Sequence, residues 1–138
     1  MATTTDYRAT GSQAKWLPTG VIARAVTITP TAAGLNDVWK VLDVPAGATI
    51  VGIKLDAADL DSNASPTITL DVGDATSAQR FIAASTAAQA GGIVTESVVG
   101  CLGYNYTAQT TIQIKVHAAA ATFQSGNVTL VVSYTIDP

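Results

Sequence analysis

The stretch TTIQIKVH (Thr110–His117) decides the fold class. Ile112, Ile114 and Val116 take every second position, and Thr111, Gln113, Lys115 and His117 take the positions between. Side chains of a β-strand point alternately to its two faces, so this pattern sends the aliphatics into a core and the polar set to water. His117, the one histidine of the chain, is expected on that wet face.

The same grammar extends outward. Asn127–Ile136 puts Val128, Leu130, Val132, Tyr134 and Ile136 on one face. Pro66–Val72 alternates Ile68, Leu70 and Val72 with Thr67, Thr69 and Asp71. Thr49–Asp56 is expected to place Val51, Ile53 and Leu55 together. Val21–Thr29 and Asp37–Val44 read as further strands, rich in β-branched residues. Val44-Pro45-Ala46-Gly47 suits a type I turn, with proline second and glycine fourth. The centre is less patterned. Ser77–Gln89 has the composition of a short helix, but the preferred reading is a strand over Arg80–Ala84 and a loop ending at Gly91-Gly92. Ile93–Val99 is another strand, and Leu102–Tyr106 extends or follows it. About eight strands with turn signals between them indicate an all-β chain: a single-domain antiparallel β-sandwich, jelly-roll-like, over residues 21–138.

Residues 1–20 read differently. Met1–Lys15 is polar and aperiodic; Trp16, Leu17 and Pro18 then come together. This is expected to be an extended N-terminal arm that orders on a neighbouring subunit. Tyr7, Arg8, Trp16 and Leu17 are its candidate partner contacts, because aromatic residues and arginine are enriched at interfaces.

Composition narrows the function. The chain has 138 residues, enough for one domain with a core of its own. Only 12% are charged, about half the usual share, which suits a surface covered by other subunits. The net charge is −3 and the seven basic residues are scattered, which argues against direct nucleic-acid binding. One cysteine, Cys101, cannot form an intramolecular disulfide and is expected to be a small buried apolar residue in a protein made in a reducing compartment. The polar start MATTTDYRAT has no signal-peptide character, and no apolar run is long enough for a membrane helix.

The residues of catalysis are missing as a set. One histidine and no G-x-S-x-G elbow leave no nucleophile–base pair, and Ser12-x-x-Lys15 lies in the arm, outside the helical setting that motif needs. The chain is read as not an enzyme, with no cofactor. Asp59-x-Asp61-x-Asn63 copies the first three ligands of a calcium loop, but Ala64 stands where glycine is needed and Leu70 where the bidentate glutamate is needed. A polar turn is the better reading, since Asp and Asn side chains bond their own backbone. Tyr104 and Tyr106 share one face of a short strand and are the candidate sugar-stacking platform.

Three segments carry a resemblance: VWKVLDVPAGATIVGIKLDAADLDSNASPTITLDVGD (Val38–Asp74), RFIAAS (Arg80–Ser85) and TIQIKVHAAAATFQSGNVTLVVSYTID (Thr111–Asp137). The V-P-A-G-A turn, the Asp/Asn/Ser-rich loop, the T-x-x-L-x-x-G-D segment and the closing V-x-L-x-x-x-Y-T strand resemble small structural proteins of tailed bacteriophages, most of all capsid decoration or cement proteins. The resemblance implies a virion structural protein, made in the host cytoplasm, that binds the major capsid protein lattice and stabilises the head. It also implies a homo-oligomer, with a trimer first and a dimer second. An acidic protein is disfavoured inside a DNA-filled head, which places it on the outer capsid surface. Head-fibre, tail or neck subunits and a sugar-binding module are the alternatives.

Overall fold

A computed structural model describes residues 2–8 and 20–136. Ten strands are present among them: β1 (Thr4–Asp6), β2 (Ile22–Ile28), β3 (Val38–Val44), β4 (Ala48–Ala57), β5 (Thr69–Gly73), β6 (Ile82–Ser85), β7 (Gly92–Thr95), β8 (Asn105–Tyr106), β9 (Thr110–Ala118) and β10 (Val128–Ile136). One sheet has the order β1-β3-β9-β5-β6; the other runs β2-β10-β4-β7, with β8 pairing the start of β4 beyond β7. All pairings are antiparallel except β1 with β3. The fold is an all-β sandwich. From β2 to β5 successive strands alternate between the two sheets.

The alternation does its expected work in β9 and β10. Ile112, Ile114 and Val116 meet Val128, Leu130 and Val132 in the core, and all six have no exposed surface. Each such aliphatic contributes about 1.5–3 kcal/mol by leaving water. Trp39 from β3 and Phe81 before β6 are the bulkiest members beside Tyr134. Cys101 is buried and free. Its burial, followed by the charge of Glu96, pushes its thiol above the usual range.

Several local readings need correction. Val51 does not share a face with Ile53 and Leu55. Ser133 pairs with Gly52 while Tyr134 pairs with Ile50, so a β-bulge at Val51 shifts the alternation; Ile50 turns inward and Val51 outward. The turn after β3 lies one residue later than expected: Ala48 N–H donates to Pro45 C=O, and Gly47 holds φ +86° at the third turn position, which demands glycine. In the central segment the preferred strand is present as β6, and a single 3-10 turn at Ala87–Gln89 follows it. The strand expected over Ile93–Val99 stops at Thr95, and that over Leu102–Tyr106 shrinks to Asn105–Tyr106.

Gln113 was expected in water and is 7% exposed. The loop from Asp74 to Arg80 folds back over the outer side of β5 and β9 and covers it. Gly73 allows that approach: a Cβ there would lie 2.2 Å from the Ser77 carbonyl oxygen.

Candidate functional site

The outer faces of the two sheets differ in chemistry. On the β2-β10-β4 face, Ala23, Ala25 and Thr27 lie in register with Ser133, Val131 and Thr129, and these with Gly52, Lys54 and Asp56. Its outward side chains are mostly small, Lys54 and Asp56 are its charged members, and the Thr27 and Thr129 hydroxyls bond to each other at 2.7 Å. The β3-β9-β5 face carries Lys40, Asp43, Thr111, Lys115, His117 and Asp71.

His117 lies over buried Asp71. Asp71 Oδ2 is 3.1 Å from His117 Nδ1, and Asp71 Oδ1 accepts from Ala84 N at 2.7 Å and Gln79 Nε2 at 3.1 Å. The amide of Ala84, at φ +49°, is therefore fixed by a carboxylate on the adjacent strand. Asn36, Ser77 and Lys115 join these residues around an open cleft of about 370 Å³. The histidine is half exposed, as a wet-face position requires.

The acidic run after β4 behaves as a polar turn. Asp59 Oδ1 accepts from Asp61 N, and Asn63 Oδ1 accepts from Ser65 N. Asp61 is the hub. Its Oδ1 accepts from Asn63 N and Thr122 N, and its Oδ2 from Thr67 N, Ile68 N and Ala121 N. Burial opposes ionisation of Asp61, but the ring of backbone N–H groups outweighs it and holds the carboxyl well below the usual range. Among the described residues no group of three or more acidic, His or Cys side chains is arranged to hold a metal ion.

Tyr104 and Tyr106 do not form a platform. Tyr106 is buried and donates its hydroxyl to Asp74 Oδ2 at 2.7 Å; burial, then that bond, push its phenol far above the usual range. Tyr104 is partly exposed, but the Arg80 guanidinium lies 3.9 Å from its ring centre and takes one face. Arg80 Nε also donates to Asp74 Oδ2 at 2.6 Å.

Of the four candidate contact residues, the structure describes Tyr7 and Arg8; Trp16 and Leu17 lie outside the described residues. The described start of the arm forms β1, which lies in parallel along β3 of the same chain. Val38 N donates to Thr3 O, Tyr7 N to Lys40 O and Thr3 N to Asp37 Oδ1. Tyr7 packs on the edge of the core. Arg8 Nη1 reaches Asp43 Oδ1 at 3.1 Å and Thr111 Oγ1 at 3.0 Å, and Arg8 also pairs with Asp6. Those hydrogen bonds hold Asp6 well below the usual carboxylate range. The sequence reading missed Asp37, Asp43 and Thr111 as anchors. Asp43 and Thr111 are direct cross-strand partners, a proximity that only the β3–β9 register reveals.

Exposed apolar residues gather on the loop between β7 and β8. Val99 is fully exposed and Leu102 is 50% exposed, beside positive-φ Gly100 and Gly103. Among the described residues no helix is long and apolar enough to cross a membrane.

No protein-family model and no curated protein sequence matches the chain. Solved structures do. A chain of the cyanophage Pam1 capsid asymmetric unit is 34% identical with a TM-score of 0.77, over 94% of this chain and 96% of that one. A chain of the capsid of Ralstonia phage GP4 is 27% identical with a TM-score of 0.84, over 97% and 99%. A chain of the acidic stable capsid of Helicobacter pylori bacteriophage KHP30 is 19% identical with a TM-score of 0.54, over 83% and 90%, a likeness of fold alone. With identity above three in ten along nearly the whole of both chains, the protein belongs to the family of phage capsid structural proteins that the Pam1 chain represents.

Proposed function

We propose that this protein decorates and cements a phage capsid from outside, binding the lattice of the major capsid protein as a homo-oligomer. The observation that carries the reading is coverage: this chain spans 96% and 99% of the matched chains of two phage capsid structures. A 14.0-kDa capsid component holds on by its surface. The β2-β10 part of the outer face suits that task, because covering Ala23, Ala25, Thr27, Val131 and Ser133 desolvates no charged side chain of that register. Each contact is modest, and an oligomer that engages several lattice subunits at once gains by effective concentration. A trimer is the first expectation. The acidic balance favours the outer surface over contact with packaged DNA.

The test is copy number in purified virions, by quantitative mass spectrometry. A cement protein stands in a fixed simple ratio to the major capsid protein, and particles lacking it release DNA at lower temperature. A few copies per particle would move the protein to the neck, tail or fibres.

A further inference from the structure

The edge of β3 is a peptide-acceptor site, and we propose that its ligand, residues 2–8, is exchanged between copies of this chain. The seat belongs entirely to the body of the domain. Asp37 Oδ1 accepts Thr3 N, Val38 N and Lys40 O bond the incoming backbone, and Asp43 with Thr111 receives Arg8 at the far end. Asp37 is already aligned without the ligand, since its Oδ2 accepts Gly34 N at 2.8 Å.

The ligand is held only along one side. β1 has three residues and forms the edge of its sheet, so among the described residues it has one strand neighbour. Every bond that β1 makes to β3 is made equally well by the same segment of another copy. Exchange therefore leaves the contacts unchanged and alters only the connection, the usual basis of strand swapping.

The connection is long enough. Eleven residues, 9–19, separate Arg8 from Gly20. Fully extended, such a segment spans at most roughly 40 Å, about the width of a domain of this length. A neighbour whose β3 edge lies within that distance of Gly20 presents its seat within reach. Exchange would link the copies by backbone pairing rather than by side-chain contact alone. It goes beyond the cementing role and requires no capsid, so its test uses purified protein.

Two full-length variants are mixed under mild oxidation, Thr4→Cys and Val38→Cys, each with Cys101→Ser. Thr4 and Val38 are direct partners across β1 and β3, within the span of a disulfide. Exchange predicts a disulfide-linked pair on mixing, in about tenfold the yield of either variant alone, because the docked segment raises the local thiol concentration. The double variant Thr4→Cys/Val38→Cys is the control for closure within one chain. A closed monomer in that control with no linked pair on mixing overturns exchange. Equal linkage in the single variants alone overturns it as well, as random collision. Bonding in neither sample removes the β1–β3 pairing and the proposal with it. A labelled peptide of sequence ATTTDYR supplies a second measurement on the full-length chain, where it competes with the resident segment for the β3 edge. It should bind saturably, and Asp43→Ala should weaken it; no binding counts against a separable ligand.

Discussion

Asp61 and Asp74 are both buried carboxylates, set near opposite ends of β4, and they are neutralised in different ways. Asp61 follows Ala57 and is held by five backbone N–H groups from three segments. Asp74 is bonded by Tyr106, whose strand pairs with Ala48, and by a full cation on Arg80, with the amides of Thr76 and Ser77 completing its shell. The first corner is tied by peptide dipoles and carries an uncompensated charge. The second is tied by an ion pair that also stacks on Tyr104. A corner built from amides depends on the backbone path of all three segments. A corner built from side chains depends on a few separable groups.

The largest expected effect breaks the Asp74 corner through its backbone. Gly73→Ala puts a Cβ against the Ser77 and Ala78 backbone, which no rotamer change relieves. We expect a loss of more than about 4 kcal/mol, or no soluble protein, in urea unfolding. Next is Asp61→Asn, which keeps shape and removes charge. Each carboxylate oxygen accepts at least two N–H groups, so either amide orientation sets an NH2 against donors. The fall in urea midpoint should exceed that of Arg80→Met.

Arg80→Met sharpens the contrast. Asp74 keeps its three other donors, and the methionine still covers Tyr104, so a loss of about 1–3 kcal/mol is expected. Acid separates the corners further. Burial opposes ionisation at Asp74 too, but Arg80 and Tyr106 hold its carboxyl below the usual range, as the amides do for Asp61. A depressed carboxyl contributes stability that is complete above its ordinary value near 4 and is lost as pH falls through its folded value. Urea midpoints should therefore drop on acidification below about pH 4. In Asp61→Asn the drop should shrink.

The smallest effect concerns a polar group neither corner uses. The Tyr134 hydroxyl is buried without a partner among the described residues. Tyr134→Phe should leave stability unchanged or raise it by up to about 1 kcal/mol, read as urea midpoint.

These contrasts also explain how much was legible in the sequence. β9 and β10 were readable because one face of each is uniformly aliphatic, and burial of that face sets the period. Val51 was misread because a bulge is a property of a strand pair: its cause, the Ser133–Tyr134 register, lies some eighty residues away. Asp61 was rightly placed in a polar turn, since Asx bonding is local. Its amides from Ala121 and Thr122 come from a loop that nothing near Asp61 announces. Gln113 alternates as a wet residue and is buried because Gly73 admits a loop over it. At the candidate contact surface, Tyr7 and Arg8 stood out by residue type. Their receiving groups, Asp37, Asp43 and Thr111, are common strand-end polar residues whose meaning comes only from register.

The position of β10 has a consequence for the order of events during synthesis. It is an inner strand, bonded to β2 on one side and β4 on the other. Until the ribosome has delivered residues up to Ile136, β2 and β4 have no partner between them, and their apolar edges stay open. Translation proceeds from the N-terminus, so this domain cannot fold piecemeal while it emerges. The β2-β10-β4 sheet closes late, only once β10 has emerged.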